Sequence, residues 1–272
     1  WMYCNIEFDR KQEHMVYFGQ KLVLTDQYEC EQMINDAKNA HRKGEVNMKF
    51  SYFIWDYDGT LFDTYDAVAR AYHRAAQQNG IEIAFDELRW LTKHSLGWAA
   101  KQLEQRYGTA AQDILDAYYA FAPQEETLEA MRPYPGTLET LRAVCEHGGK
   151  NYLYSHRDHA SIDALEHYGL KPYFSDFITK DDHFPRKPAP DALLHMISKH
   201  GLEPGRAVMV GDRVLDVQAG LNAGMQGALF DPEGFCQGQA PTPYQYASMD
   251  ALRKALIEDE DVPGDTPKEE CP

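Results

Sequence analysis

Long apolar runs are missing from this chain: nowhere do about 18 consecutive apolar residues occur, the minimum for a bilayer-spanning helix. The first residues also lack a basic patch followed by an apolar stretch, so no signal peptide is expected and the expected location is cytoplasmic. Basic residues are few, 27 Lys and Arg against 43 Asp and Glu, a formal charge of −16. That balance disfavours nucleic acid backbones and anionic membranes as partners. Cysteine is sparse as well. Cys4, Cys30, Cys145, Cys236 and Cys271 are odd in number, widely spaced and without paired-ligand spacing, which argues against a disulfide framework or a zinc site. Reduced thiols are expected. Part of the negative charge is local: Glu258-Asp259-Glu260-Asp261 opens a Pro-containing tail, residues 258–272, expected to be solvated and disordered.

What the chain does have is concentrated in one stretch. The β-rich apolar run Tyr52-Phe53-Ile54-Trp55 ends in Asp56-Tyr57-Asp58, and Gly59-Thr60 follows to take the backbone out of the strand. Strand alternation would point Asp56 and Asp58 to the same side, where two like charges need a cation between them or a proton on one. Magnesium is the natural cation. A carboxylate beside such an ion can attack phosphorus while its neighbour handles the proton.

Further polar clusters follow apolar runs. Tyr152-Leu153-Tyr154 leads to Ser155-His156-Arg157, Lys187-Pro188 follows a loop, and Val208-Met209-Val210-Gly211 leads to Asp212-Arg213-Val214-Leu215-Asp216. These four stretches, in this order, resemble the four motifs of the haloacid dehalogenase superfamily, most of whose members are phosphatases; the likeness covers about residues 48 to 257. The dehalogenases themselves carry Tyr at the second acidic position and phosphonate hydrolases carry Ala, whereas this chain has Asp58.

Between and after the motifs the periodicity is informative. Tyr65, Val68, Tyr72 and Ala75 or Ala76 share one helix face, Asp63 or Thr64 can cap its start and Asn79-Gly80 supplies a stop. More helices are predicted at about 85–93, 98–107, 110–121 and 125–131, and Pro133-Tyr134-Pro135-Gly136 marks a return, with Leu138, Leu141 and Val144 lining the next helix. Strands at 151–155, 174–178, 207–211 and 226–230 then alternate with helices at about 160–168, 189–200 and 214–223, and Ser248 to Leu256 reads as a last helix. The expected fold is α/β: a doubly wound parallel sheet, Rossmann-like, with an inserted helical domain. The expected division is a Rossmann-like core at 48–62 and 133–257 and a helical cap at 63–132. Residues 1–47 form an appendage, read as a small ββα unit in which Met15 to Phe18 and Lys21 to Leu24 make a hairpin and a helix starts near Asp26.

The resemblance implies roles. Asp56 would be nucleophile and metal ligand, and Asp58 the general acid and then base, with its backbone carbonyl on the metal; Asp212 would complete the magnesium shell. Asp216 would bind the ion directly, through water, or act by holding Lys187. Ser155 and Lys187 would hold phosphoryl oxygens, and Thr60 would orient Asp58 or contribute to the phosphate site. His156 and Arg157 either touch substrate or form a solvent-facing basic pair. His94-Ser95-Leu96-Gly97 stands where relatives place a substrate-selecting loop, with an ordinary interhelical turn as the alternative. Tyr65, Tyr72 and Trp90 are read as packing of the insert. Arg213 replaces the small Ser or Thr common at that place. The implied activity is magnesium-dependent hydrolysis of a small phosphorylated metabolite, phosphoglycolate phosphatase-like, by a monomer or homodimer. The alternatives are a β-phosphoglucomutase-like sugar phosphomutase and, in another class, a non-catalytic binding or regulatory protein.

Overall fold

The computed structural model describes residues 13–18, 21–26, 48–236 and 238–258. The chain divides into two units, Trp1–Asn47 and Met48–Pro272. Of the first unit, β1 (Glu13–Phe18) and β2 (Lys21–Asp26) are described, and they pair antiparallel with Val16 opposite Val23. The turn between them and the helix expected after Asp26 lie outside the described residues, as does most of the acidic tail.

The second unit begins with β3 (Tyr52–Trp55), followed by β4 (Phe62–Asp63) and four helices: α1 (Tyr65–Gln78), α2 (Phe85–His94), α3 (Leu96–Tyr107) and α4 (Ala111–Glu125). The chain returns through β5 (Arg132–Pro133), then α5 (Thr137–Glu146), β6 (Lys150–Tyr154), α6 (Ala160–His167), β7 (Phe174–Ile178) and α7 (Asp191–His200). It ends with β8 (Ala207–Gly211), α8 (Val214–Asn222), β9 (Gln226–Phe230), β10 (Gln245–Tyr246) and α9 (Met249–Leu256). No helix among the described residues is long and apolar enough to cross a membrane.

Six strands form one sheet in the order β10-β9-β8-β3-β6-β7, every pairing parallel. β3 is central because its run is apolar on both faces. Phe53 and Trp55 pack with Leu153, Val208 and Val210 against Leu141, Leu165 and Leu252 of α5, α6 and α9. Ile54 joins Tyr152, Tyr154 and Met209 on the opposite face, against Leu193 and Met196 of α7 and Ala219 of α8. A parallel sheet covered on both faces requires such near-continuous apolar strands. The winding carries β6 and β7 to one side of β3 and β8 to β10 to the other, so the carboxyl ends of β8, β3 and β6 meet at the switch in strand order, where this architecture gathers ligands.

Helices α1 to α4 bury their own core, including Val68, Tyr72, Leu88, Leu91, Leu103 and Ile114. Their attachment is narrow: β4 pairs antiparallel with β5, Phe62 opposite Pro133 and Asp63 opposite Arg132.

Three expectations are corrected. No helix forms at 125–131. Instead α4 runs on to Glu125, through Pro123 in its last turns, and Thr127 closes a turn by accepting the amides of Ala130 and Met131, while the Glu126 side chain is drawn to Arg157. Leu138 does not line the buried face of α5 but is 39% exposed, the core contacts coming from Leu141, Ala143 and Val144. Trp90 is 50% exposed and so is not core of the insert, unlike Tyr72, which is fully buried. Thr64 is the residue before α1, yet its side chain makes no capping bond.

One polar residue ties the sheet to its helical layer. Asn151 on β6 is fully buried; its Oδ1 accepts from Trp55 Nε1 at 2.9 Å, and its Nδ2 donates to the carbonyls of Leu141 at 3.0 Å and Tyr173 at 3.2 Å. Asn151→Leu strands the indole N–H and both carbonyls in an apolar layer. We expect it to lower the unfolding free energy by about 2–4 kcal/mol, measured by urea denaturation.

Candidate active site

The pairing of β3 with β8 extends one step beyond the strand, Asp56 N–H donating to Val210 O at 2.9 Å, which sets Asp56 beside Gly211 and Asp212. Between Tyr57 and Phe62 the backbone turns, with Leu61 and Phe62 amides on Tyr57 O, and Gly59 adopts φ +72°. That conformation favours glycine, and there is a second reason for it: a methyl group there would strike the Asp212 carboxylate and the Tyr65 ring. Gly211 is required by proximity alone, since a Cβ on it would collide with the Asp216 side chain.

These close approaches gather three carboxylates. Asp56, Asp212 and Asp216, all buried, present oxygens within 4.8 Å of one another. At such a separation each pair of like charges costs roughly 3.5 kcal/mol or more at an effective dielectric of about 20. Lys187 offsets part of this: its buried ammonium lies 2.7 Å from Asp56 Oδ1 and 2.8 Å from Asp216 Oδ1. Burial alone would strip Lys187 of its proton, but Asp216 and Asp56 outweigh it and raise its pKa. Asp216 is likewise pushed up by burial and pulled further down by Lys187 and Arg213, so it stays ionised; its Oδ2 also accepts the Arg213 amide at 3.1 Å. Asp56 and Asp212 are less well served. Burial drives both carboxyls upward, and Asp56 Oδ2 and Asp212 Oδ1 have no hydrogen-bond partner. Unpartnered buried acceptors in an all-oxygen cluster, without His or Cys, are what a hard divalent cation takes.

Asp58 stands apart from this cluster. Tyr57 between the two acids is buried in the core with Phe53 and Trp55, but the Asp58 carboxylate is bound by Arg157, whose Nη2 lies 2.6 Å and Nε 3.1 Å from Oδ1. Burial raises the Asp58 pKa, yet the guanidinium charge and its hydrogen bonds more than offset that and hold it below the usual carboxylate range. Arg157 is therefore neither solvent-facing nor free. Its Nη1 reaches Glu126 at 2.7 Å, just beyond α4, and Glu126 also accepts the Tyr118 hydroxyl.

Ser155, the residue after β6, accepts the Arg157 amide on its Oγ at 3.0 Å, a local turn contact and not a helix cap, since α6 begins only at Ala160. The Thr60 hydroxyl is buried with no partner. His156 has a scaffolding contact: its Nε2 accepts the Lys187 main-chain N–H at 3.1 Å. Ser95 caps α3 by accepting the Trp98 amide at 3.1 Å, Gly97 lies inside α3, and His94 stacks on Trp98 with centroids 4.3 Å apart and meets Phe235 edge-on. None of these three contacts the carboxylates.

Two contributors escaped sequence reasoning. Tyr65, read as packing, donates its hydroxyl to Asp212 Oδ2, and Glu126 anchors Arg157. A tyrosine two residues past the Phe62-Asp63 pair was the only available signal for the first. Nothing in the local pattern marks Glu126.

The family model described as haloacid dehalogenase-like hydrolase matches residues 53–230, more than half of the chain. The phosphoglycolate phosphatase of Agrobacterium fabrum is 31% identical over 180 residues, spanning 62% of this chain and 76% of the relative. A hydrolase from Streptococcus pneumoniae superposes with a TM-score of 0.53 at 28% identity, over 67% of this chain and 94% of that one. A hydrolase from Deinococcus radiodurans, solved with bound phosphate and sodium, superposes with a TM-score of 0.62 at 22% identity, over 78% and 97% of the two chains.

The His156 contact carries a pH dependence. Burial, joined by the charges of Lys187 and Arg186, depresses its pKa from 6.5 to about 3, so the folded protein holds it neutral. Its contribution to stability is complete above its unfolded pKa and is lost as pH falls through the folded value. Urea unfolding from pH 7 to 3 should show this loss, and His156→Gln, which keeps an acceptor that does not titrate, should remove that component.

Proposed function

The chain belongs to the haloacid dehalogenase-like hydrolase family, and from that premise we propose that it is a magnesium-dependent phosphatase of small phosphomonoesters, working through an aspartyl-phosphate on Asp56. The observation that carries the reading is the state of Asp56: a buried carboxylate with one oxygen gripped by Lys187 at 2.7 Å and the other left without a partner. Such a carboxylate is oriented and neutralised at one end and available at the other.

Asp56, Asp212 and Asp216 would hold the magnesium, Asp216 in addition to its bond to Lys187. The ion would supply charge neutralisation and polarise a phosphoryl oxygen. The remaining work falls to side chains. Asp56 attacks phosphorus in line; the phosphorus–oxygen bond to the leaving alcohol breaks, and Asp58 delivers the proton that the alkoxide needs. Asp58 is then a base for the water that cleaves the acyl phosphate and returns Asp56 as a carboxylate. Lys187 stays beside the nucleophile throughout and offsets the charge that gathers on the phosphoryl oxygens, with the hydroxyls of Ser155 and Thr60 as further donors. Arg157 favours the ionised form of Asp58, suited to the base step. For the acid step its hold must slacken, and Glu126 offers the guanidinium a second carboxylate to keep.

The insert would act as the cap, taking 63–132 as its span. The curated relative in Agrobacterium fabrum is named for phosphoglycolate, which agrees with a small substrate enclosed between insert and sheet.

Two substitutions separate the acids. Asp56→Asn should abolish phosphoenzyme formation. Asp58→Asn should slow turnover about 10²–10⁴-fold, yet with an aryl phosphate, whose leaving group needs little protonation, it should accumulate phosphate on Asp56. Intact mass after acid quench reads both. A phosphate adduct on the Asp56→Asn protein, or steady hydrolysis by wild type in excess chelator, defeats the reading.

A further inference from the structure

Arg213 faces the carboxylate cluster without bonding to it. It is the residue before α8, its extended backbone places its own amide on Asp216 Oδ2, and its side chain turns over the three acids. Nη2 lies 4.0 Å from Asp56 Oδ2, and Nε lies 3.8 Å from Asp212 Oδ1 and 4.0 Å from Asp216 Oδ2. All three separations are short for Coulomb attraction and too long for hydrogen bonds.

The standoff leaves unsatisfied atoms on both sides. Nε of Arg213 is buried with no acceptor, and Asp56 Oδ2 and Asp212 Oδ1, the acids' nearest oxygens to the guanidinium, are buried with no donor. Lys187 behaves differently, making contacts at 2.7 and 2.8 Å to Oδ1 of Asp56 and of Asp216, whereas Arg213 stands off from Oδ2 of each. Two cations therefore serve three acids in different ways: Lys187 is bonded into the cluster, and Arg213 supplies positive charge while leaving acceptor oxygens unclaimed. An arginine meant to hold a carboxylate in place normally forms the forked contact that Arg157 forms with Asp58.

We propose that Arg213 is a built-in counter-cation of the cluster: it holds Asp56, Asp212 and Asp216 together when no divalent ion is bound and, by opposing that ion's charge, weakens the site's affinity for it. The inference rests on the reading that these acids hold magnesium. It differs from a substrate-binding role, in which Arg213 would alter affinity for phosphate and leave affinity for the ion unchanged.

The test is magnesium titration calorimetry on the full chain, alongside thermal unfolding with and without the ion. Arg213→Met keeps the length and removes the charge. It should bind magnesium at least ten-fold more tightly than wild type, and its metal-free form should melt several degrees lower, while the magnesium-saturated forms melt closer together. Arg213→Lys should restore wild-type affinity for the ion. If Arg213→Met fails to fold, Arg213→Gln is read in its place. Unchanged or weaker magnesium affinity in the uncharged variant overturns the inference, as does a raised KM for an aryl phosphate with magnesium affinity unaltered. A wild-type chain that binds no magnesium instead removes the reading beneath it.

Discussion

A single buried ammonium makes the rest of this site feasible. Lys187 comes from the loop before α7, reaches under the carboxyl ends of β3 and β8, and contacts Asp56 and Asp216 together. Burial works against the ammonium and against Asp216 alike, and the attraction between the two keeps both charged. The scaffold invests accordingly. Tyr154 lies with its ring 4.6 Å from the ammonium, and His156 fixes the lysine's main chain, so the neighbours of Lys187 are themselves products of the β6 end.

The helical insert is not an independent neighbour of this chemistry. Tyr65, the first residue of α1, holds Asp212; Glu126, just past α4, holds Arg157 and through it Asp58. On the far side, Arg89 and Lys93 of α2 grip Glu233 of the loop after β9, Arg89 with both terminal nitrogens at 2.7 Å and Lys93 at 2.7 Å. These contacts are partly exposed and individually modest in water. Their placement is what counts: the insert reaches the sheet at Asp212 and, through Arg157, at Asp58, so a movement of its helices is felt there rather than at the bonded Asp56-Lys187 pair.

Much of this was legible in the chain. The strands at 174–178, 207–211 and 226–230 fall where alternation and bounding turns placed them, because a doubly covered parallel sheet writes itself as short apolar runs. The carboxylates at strand ends were visible for the same reason, an apolar run that stops at an acid. What escaped had no periodicity to offer. Strands β4, β5 and β10 are two residues each, too short for any pattern. The interplay of Tyr65 with Asp212 spans 147 positions and that of Arg157 with Asp58 spans 99, and no local rule links such partners. The expected helix at 125–131 failed because Glu126 satisfies a distant arginine, a tertiary demand that helix propensity does not contain. For His156 the alternatives were substrate contact or a solvent-facing basic pair, and the second does not hold, since burial makes it a neutral acceptor of the Lys187 amide.

The antiparallel pairing of Phe62-Asp63 with Arg132-Pro133 has a consequence for the lineage of such a molecule. Because the chain leaves and rejoins the sheet at adjacent points, the four-helix detour is, to the core, no wider than a hairpin, and the entropic cost of closing it changes only slowly with its length. Helices could be added to it, removed or recast without shifting a strand, provided that the two-residue clasp survives together with Tyr65 and Glu126, which reach Asp212 and Arg157. Diversity can thus accumulate in the detour while the carboxylates at the strand ends remain as they were.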